Sequence, residues 1–188
     1  MNIRSIAVAT QLTMLVTLFS PTIINADQTD TRLDALFDIL QNSDNEMELQ
    51  AAETGIWQIW YESGQQDIDV LMEEASQVMQ TGDLDRAESL YTEVIAMAPE
   101  FSEGWNRRAT IRFYRKNYDG SLEDIHRTLV LEPRHFGAVW GLGMILGNQR
   151  NFDDAITAFE RLLEIKPHAR DARPRIELLK QELAKSAV

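Results

Sequence analysis

The sequence predicts an all-α solenoid of stacked antiparallel helix pairs, and three observations carry that prediction. GDLDRAESLYTEVIAMAPE, KNYDGSLEDIHRTLVLEPR and RNFDDAITAFERLLEIKPH align without a gap, with Pro99, Pro133 and Pro167 separated by 34 residues each time. Leu84, Tyr118 and Phe152 keep one phase of that period, Asp85, Asp119 and Asp153 a second, and Ile95, Leu129 and Leu163 a third. Apolar residues recur at three and four within these stretches, as Ala87, Leu90, Tyr91 and Val94 and again as Ala155, Ile156, Phe159, Leu162 and Leu163, the spacing of a buried helical stripe. One helix pair cannot bury such a stripe alone, so a repeat of this length implies stacking.

The elements follow in order. Residues 1–26 carry Arg4, an apolar run from Ile6 to Phe19, Pro21 and the small Ala26, the order of a secretory signal peptide. The alternative is an uncleaved anchor, because Ile6 to Ile24 is nearly long enough to span a bilayer; with no cysteine after it, a lipoprotein anchor is excluded. In either case the rest of the chain is expected to work outside the cytoplasm, in a periplasm or secreted. Residues 27–67 read as an irregular helix pair capping the array, with Leu33, Leu36, Phe37 and Leu40 on one apolar face and Ala52, Ile56, Ile59 and Trp60 on the other. Three repeats occupy 68–101, 102–135 and 136–168. Their first helices are expected at about 68–80, 103–115 and 137–148, and their second at about 84–97, 119–131 and 153–165. Breaks fall at Thr81-Gly82-Asp83, Lys116-Asn117 and Arg150-Asn151 within units and at the prolines between them. Residues 169–188 supply a last helix over 169–185 that turns Ile176, Leu179 and Leu183 inward as a solvating cap.

Composition narrows the function. The chain has 188 residues, 44% of them hydrophobic, which suits one packed domain. Its net charge of -12 argues against nucleic acid as a partner, since phosphate contacts need a basic surface. The absence of cysteine rules out disulfides, thiol catalysis and Cys-based metal sites. Charge is unevenly spread: residues 27–100 hold 18 acids against Arg32 and Arg86, whereas 101–188 hold 15 bases and 12 acids. Such a chain can associate head to tail or present opposite patches to different proteins.

The repeat resembles the tetratricopeptide (TPR) family. In the first unit Gly82, Asp83, Leu84, Ala87, Tyr91 and Pro99 match; in the second, Trp105, Ala109, Tyr118 and Pro133; in the third, Leu142, Gly143, Phe152, Ala155, Phe159 and Pro167. Ser121 replaces the usual alanine, Arg108 and Arg112 stand at apolar positions, and Val139 takes the place of a tryptophan that is displaced by one to Trp140. The resemblance implies a right-handed α-solenoid whose groove, lined by first helices, binds peptides. It points to Asp69, Met72, Ser76 and Met79 from the first unit and to Glu103, Asn106, Thr110, Phe113 and Tyr114 from the second. From the third it points to Trp140, Met144, Gly147 and Asn148. Bases that would clamp a free carboxyl terminus are largely absent from those positions. From its leader through EGWNRRAT to LEPRHFGAVWGLG the chain is also similar to a group of exported alphaproteobacterial TPR proteins, which implies a location and a scaffold role but no defined activity.

Chemical sites find little support. His126, His135 and His168 lie in different units, and a metal site needs three or four converging ligands. His135 reads as a turn residue before the next helix. Asp153-Asp154 and Glu123-Asp124 read as acids favoured at the start of helices. No nucleophile elbow or phosphate loop is present. Arg107, Arg108, Arg112, Arg115 and Lys116 cannot all share one helix face; some are expected to pair with Asp119, Glu123 or Asp124, and the rest to rim a site for an acidic peptide or for the chain's own amino-terminal half. The reading is a scaffold without cofactor, metal or enzymatic activity, binding an envelope protein or peptide, with no stable membrane insertion once the leader is cleaved. A self-associating protein that docks its acidic half on a basic half is the first alternative, and a hydrolase using groove carboxylates the second.

Overall fold

The computed structural model describes residues 28–186, and the leader reading falls outside them. Nine helices and no strand are found among the described residues: α1 (Arg32–Asn42), α2 (Glu46–Tyr61), α3 (Gln66–Gln80), α4 (Leu84–Met97), α5 (Ser102–Tyr114), α6 (Tyr118–Leu131), α7 (Phe136–Asn148), α8 (Phe152–Ile165) and α9 (Ala172–Ser186). None of them is long and apolar enough to cross a membrane. The three repeats are α3–α4, α5–α6 and α7–α8, each an antiparallel pair packed on the next, with α9 closing the array against α8. α9 starts later than its pattern implies, because Ala169–Asp171 form a turn and Pro174 belongs in a first helical turn, where its missing N–H costs nothing.

Within each repeat the turn between helices is built the same way. Gly82, Lys116 and Arg150 sit 34 residues apart and all adopt left-handed backbone, with φ of 84°, 60° and 63°. Gly82 does so freely, whereas Lys116 and Arg150 hold a conformation disfavoured for residues with a Cβ. Asp83 and Asn117 then cap the second helix by accepting the amides of Arg86 and Gly120.

The joint between the first two repeats is ionic where the repeat pattern would have it apolar. Arg108 chelates the buried Asp124 carboxylate with Nε and Nη2 at 2.9 and 2.8 Å. Arg112 bridges Asp124 at 3.0 Å and Glu88 at 2.9 Å, and Arg115 reaches Glu88 and Asp85. Asp124 is therefore no helix-end charge: it lies in the second turn of α6, 1% exposed, and holds α5 by two guanidinium groups. Ser121, in the alanine position, spends its hydroxyl on the Ala109 carbonyl at 2.7 Å.

The first two helices depart from the expected arrangement. They form a hairpin, as the pattern requires, but it does not stack ahead of α3 as another layer. After the connector Glu62–Gln65 it folds back so that α1 meets α8 and α2 meets α5. Leu33, Phe37, Leu40, Ala52, Ile56, Ile59 and Trp60 share one core with Phe136, Val139, Phe159, Leu162 and Ile176, while α3 and α4 build a second core with Phe101 and Ile111. Charge guides this placement: Asp34 pairs with Arg134, Glu53 with Lys166 and Glu46 with Arg170. The acidic amino-terminal half and the basic carboxy-terminal half meet within one chain.

Replacing Lys116 by glycine is expected to raise stability by about 0.5–1 kcal/mol, by relieving the left-handed strain at an exposed turn; urea unfolding followed by circular dichroism measures it.

Candidate protein-binding face

The first helices α3, α5 and α7 line one face, and the structure divides it in two. α2 lies across the amino-terminal parts of all three. Tyr61 Oη donates to the Met72 carbonyl on α3 at 3.0 Å. The Arg107 guanidinium of α5 lies 5.2 Å from the Tyr61 ring and 6.0 Å from the Trp57 ring. On α7, a Cβ at Gly137 would stand 2.6 Å from the Trp57 ring, so only glycine lets the indole settle there.

Beneath α2 is a buried polar cluster. Glu103 and His135 are 0% exposed, and Oε2 of Glu103 lies 2.9 Å from His135 Nε2. His135 Nδ1 accepts the Ala138 amide at 3.2 Å as the cap of α7; Nε2 therefore carries the proton and donates to the carboxylate. Arg107 Nε donates to Oε1 of Glu103 at 2.5 Å, and Asn106 Nδ2 to Oε2 at 2.9 Å. Burial pushes the Glu103 pKa upward, but Arg107 and the His135 N–H outweigh it and hold the carboxyl below its usual range. Trp60 covers the imidazole in a parallel stack, with centroids 4.1 Å apart and planes 10° from parallel. His135 is thus a cap and a hydrogen-bond donor. No group of three or more metal-ligating side chains is gathered among the described residues.

The other part of the face is open. Between α5 and α7 lies a pocket of about 310 Å³. Of the residues that the repeat pattern points to, the structure brings six to it: Asn106, Thr110, Phe113, Tyr114, Trp140 and Met144. Phe113 stands 5.9 Å from Tyr114, and Trp140 packs edge-on against Phe159 at 5.1 Å. Tyr114 is 58% exposed at the rim, whereas Asn106 is covered at the closed end. No charged side chain lines this pocket. Asn148 is exposed one turn beyond Met144, outside it. Met72 is not available to a partner: it is 0% exposed within the core of the first repeat. Ser76 and Met79 are half-buried on α3, away from the pocket. Glu103 and Asp69 are both engaged, Asp69 by accepting the Ser63 amide and hydroxyl at 2.7 Å each. The roles of Trp57 and Trp60 were not legible from spacing, because an apolar stripe on α2 does not reveal which surface receives it.

A stacked helical array with a pocket walled by successive first helices defines a helical-repeat scaffold. The model of the family described as tetratricopeptide repeat matches residues 72–124 and 106–170, and the chain belongs to that family. It is 37% identical over 153 residues to a TPR repeat-containing protein of the alphaproteobacterium Rhizobium etli, covering 81% of this chain and 75% of the relative. Among solved structures, the first TPR of Spaghetti (RPAP3) bound to the HSP90 peptide SRMEEVD has a TM-score of 0.61 at 24% identity, covering 63% of this chain and 94% of that one. The Sgt2 TPR domain of Aspergillus fumigatus also reaches 0.61, at 20% identity, covering 65% of this chain and 83% of that one. At those identities the likeness is one of fold.

Removing the Glu103 carboxylate leaves Arg107 and the His135 N–H buried without their partner, so Glu103→Ala is expected to cost about 3–5 kcal/mol. Because the native pKa is depressed, this group's contribution is present above the ordinary carboxylate range and lost as pH falls through the native value. Unfolding free energies from pH 6 down to pH 3 should fall less steeply in the variant than in the wild type.

Proposed function

We propose that this protein is an exported TPR scaffold that binds an envelope protein or peptide through the α5–α7 pocket and does no catalysis. The observation that carries the reading is the convergence of Phe113, Tyr114, Trp140 and Met144 on one open, uncharged cavity. Such a cavity suits an apolar anchor, with Asn106 and Thr110 offering hydrogen bonds at its wall. With no cation in the lining, the pocket does not favour an acidic tail of the kind seen in the RPAP3 complex. The order of charge, apolar run and small residue in 1–26 supports export, to a periplasm or beyond. Self-association by charge would compete with the bridges that the two halves already make within one chain.

Capture of a partner from a periplasmic extract by the immobilised chain is expected to fall at least tenfold on Phe113→Ala or Trp140→Ala, with helical circular dichroism retained; undiminished capture by both variants would remove the pocket from the interface. When the full chain is expressed in an alphaproteobacterium, the intact mass is expected to correspond to a chain beginning at Asp27 and recovered in the envelope fraction. A cytoplasmic product retaining Met1 would overturn the export reading.

A further inference from the structure

We infer that the α1–α2 hairpin is a tethered ligand of its own array, and that the surface beneath it is a second binding compartment. That compartment fits a partner helix of the same chemistry as α2, acidic in its first turns and aromatic at i, i+3 and i+4. The inference rests on reading the first-helix face as a binding face.

Its polar satisfaction, edge charges and connector set this hairpin apart from a permanent layer. The hydrogen bonds of Glu103, Asn106, Arg107 and His135 that hold the polar cluster run within the array itself, among one another and to the Ala138 amide. α2 adds only ring faces to the cluster: Trp60 on the imidazole, Trp57 and Tyr61 beside the Arg107 guanidinium. The indole N–H of Trp60 is buried without a hydrogen-bond partner even when docked. Lifting the hairpin therefore leaves no member of the cluster without its polar partner, and frees one donor.

The charged contacts at the hairpin's edge are partly or largely open to water. Arg170 and Glu46 are 79% and 76% exposed, and Asp34 is 83% exposed against Arg134. Pairs of this kind steer and orient more than they bind. The connector to α3 is four residues, Glu62–Gln65, with Gly64 at φ 74°. The hairpin also carries apolar contacts of its own, Leu36 reaching Gly55 across α1 and α2, so it can move as a unit.

The receiving surface dictates the ligand. A flat imidazole face and a guanidinium accept aromatic rings. The floor at Gly137 admits a large one, and Lys166 and Arg170 attract acids about one and three turns upstream of it, as they do Glu53 and Glu46 of α2. Undocking would expose this compartment, apolar at Phe136, Val139 and Leu162 and polar at His135 and Arg107, beside the uncharged α5–α7 pocket.

Amide exchange on the full, unmodified chain tests the tether. Amides of α1 and α2 are expected to exchange at least tenfold faster than those of α8, through an opening short of global unfolding. A fluorescent peptide of residues 44–63 is the probe for the compartment. It is expected to bind the Glu46→Lys, Glu53→Lys double variant, whose hairpin is loosened while its array is untouched, at least tenfold more tightly than wild type. Phe113→Ala should leave that binding unchanged, which separates this compartment from the pocket. Exchange of α1–α2 in step with α8, or no gain in peptide binding by the double variant, overturns the inference.

Discussion

A carboxylate buried at 0% exposure must be matched within hydrogen-bond distance or it destabilises the fold, and the arrangement of this protein depends on how Glu103 is matched. Arg107 one turn along α5 supplies a cation, Asn106 an amide, and His135 an N–H from the next repeat. His135 is available for this because its other nitrogen caps α7, which fixes the tautomer and the ring plane together. That fixed plane is what Trp60 stacks on, so the buried acid sets the surface on which this part of α2 rests, beside the apolar core and the edge ion pairs that hold the rest of the hairpin.

The uneven charge of the sequence has the same kind of resolution. Asp85 and Glu88 of the first repeat and Asp124 of the second present carboxylates to Arg108, Arg112 and Arg115 on α5, at positions where the repeat pattern prefers apolar side chains. Replacing an apolar seam by matched ions gains little net stability, since desolvation offsets most of the attraction. It does make the seam selective: Arg112 joins Glu88 on α4 to Asp124 on α6, and this shared network sets the register of α5 on both.

The fold was legible because the period of 34 residues repeats both its apolar phase and its breaks, down to the left-handed position shared by Gly82, Lys116 and Arg150. The pocket was legible in part for the same reason: residues at like positions of α5 and α7 must face the same side, which brings Phe113, Tyr114, Trp140 and Met144 together. Periodicity could not show where α1 and α2 lie, since they are off the 34-residue grid and their docking is a tertiary choice. The contacts of α2 on the first-helix face, Tyr61 on Met72 and Trp57 and Tyr61 beside Arg107, follow from that choice. So does the role of His135, whose neighbours in space come from residues 57–60 and 103. In retrospect, the glycine at 137 beside two tryptophans three residues apart on α2 is the trace of that docking, but only the geometry makes it readable.

Solenoids of stacked repeats normally build from contacts between neighbours in the chain, so that each layer can settle as soon as the next is made. Here Asp34 pairs with Arg134 and Glu46 with Arg170, spanning 100 and 124 residues. The hairpin is made before most of the surface it docks on, so it must wait until Arg134 and Arg170 have followed, carrying the uncovered rings of Trp57 and Trp60 in the interval. Its closure adds contacts of long sequence separation to an array whose topology is otherwise local. The docking of α1 and α2 therefore follows the building of the array, and loss of α8 or α9 would be felt most at the hairpin.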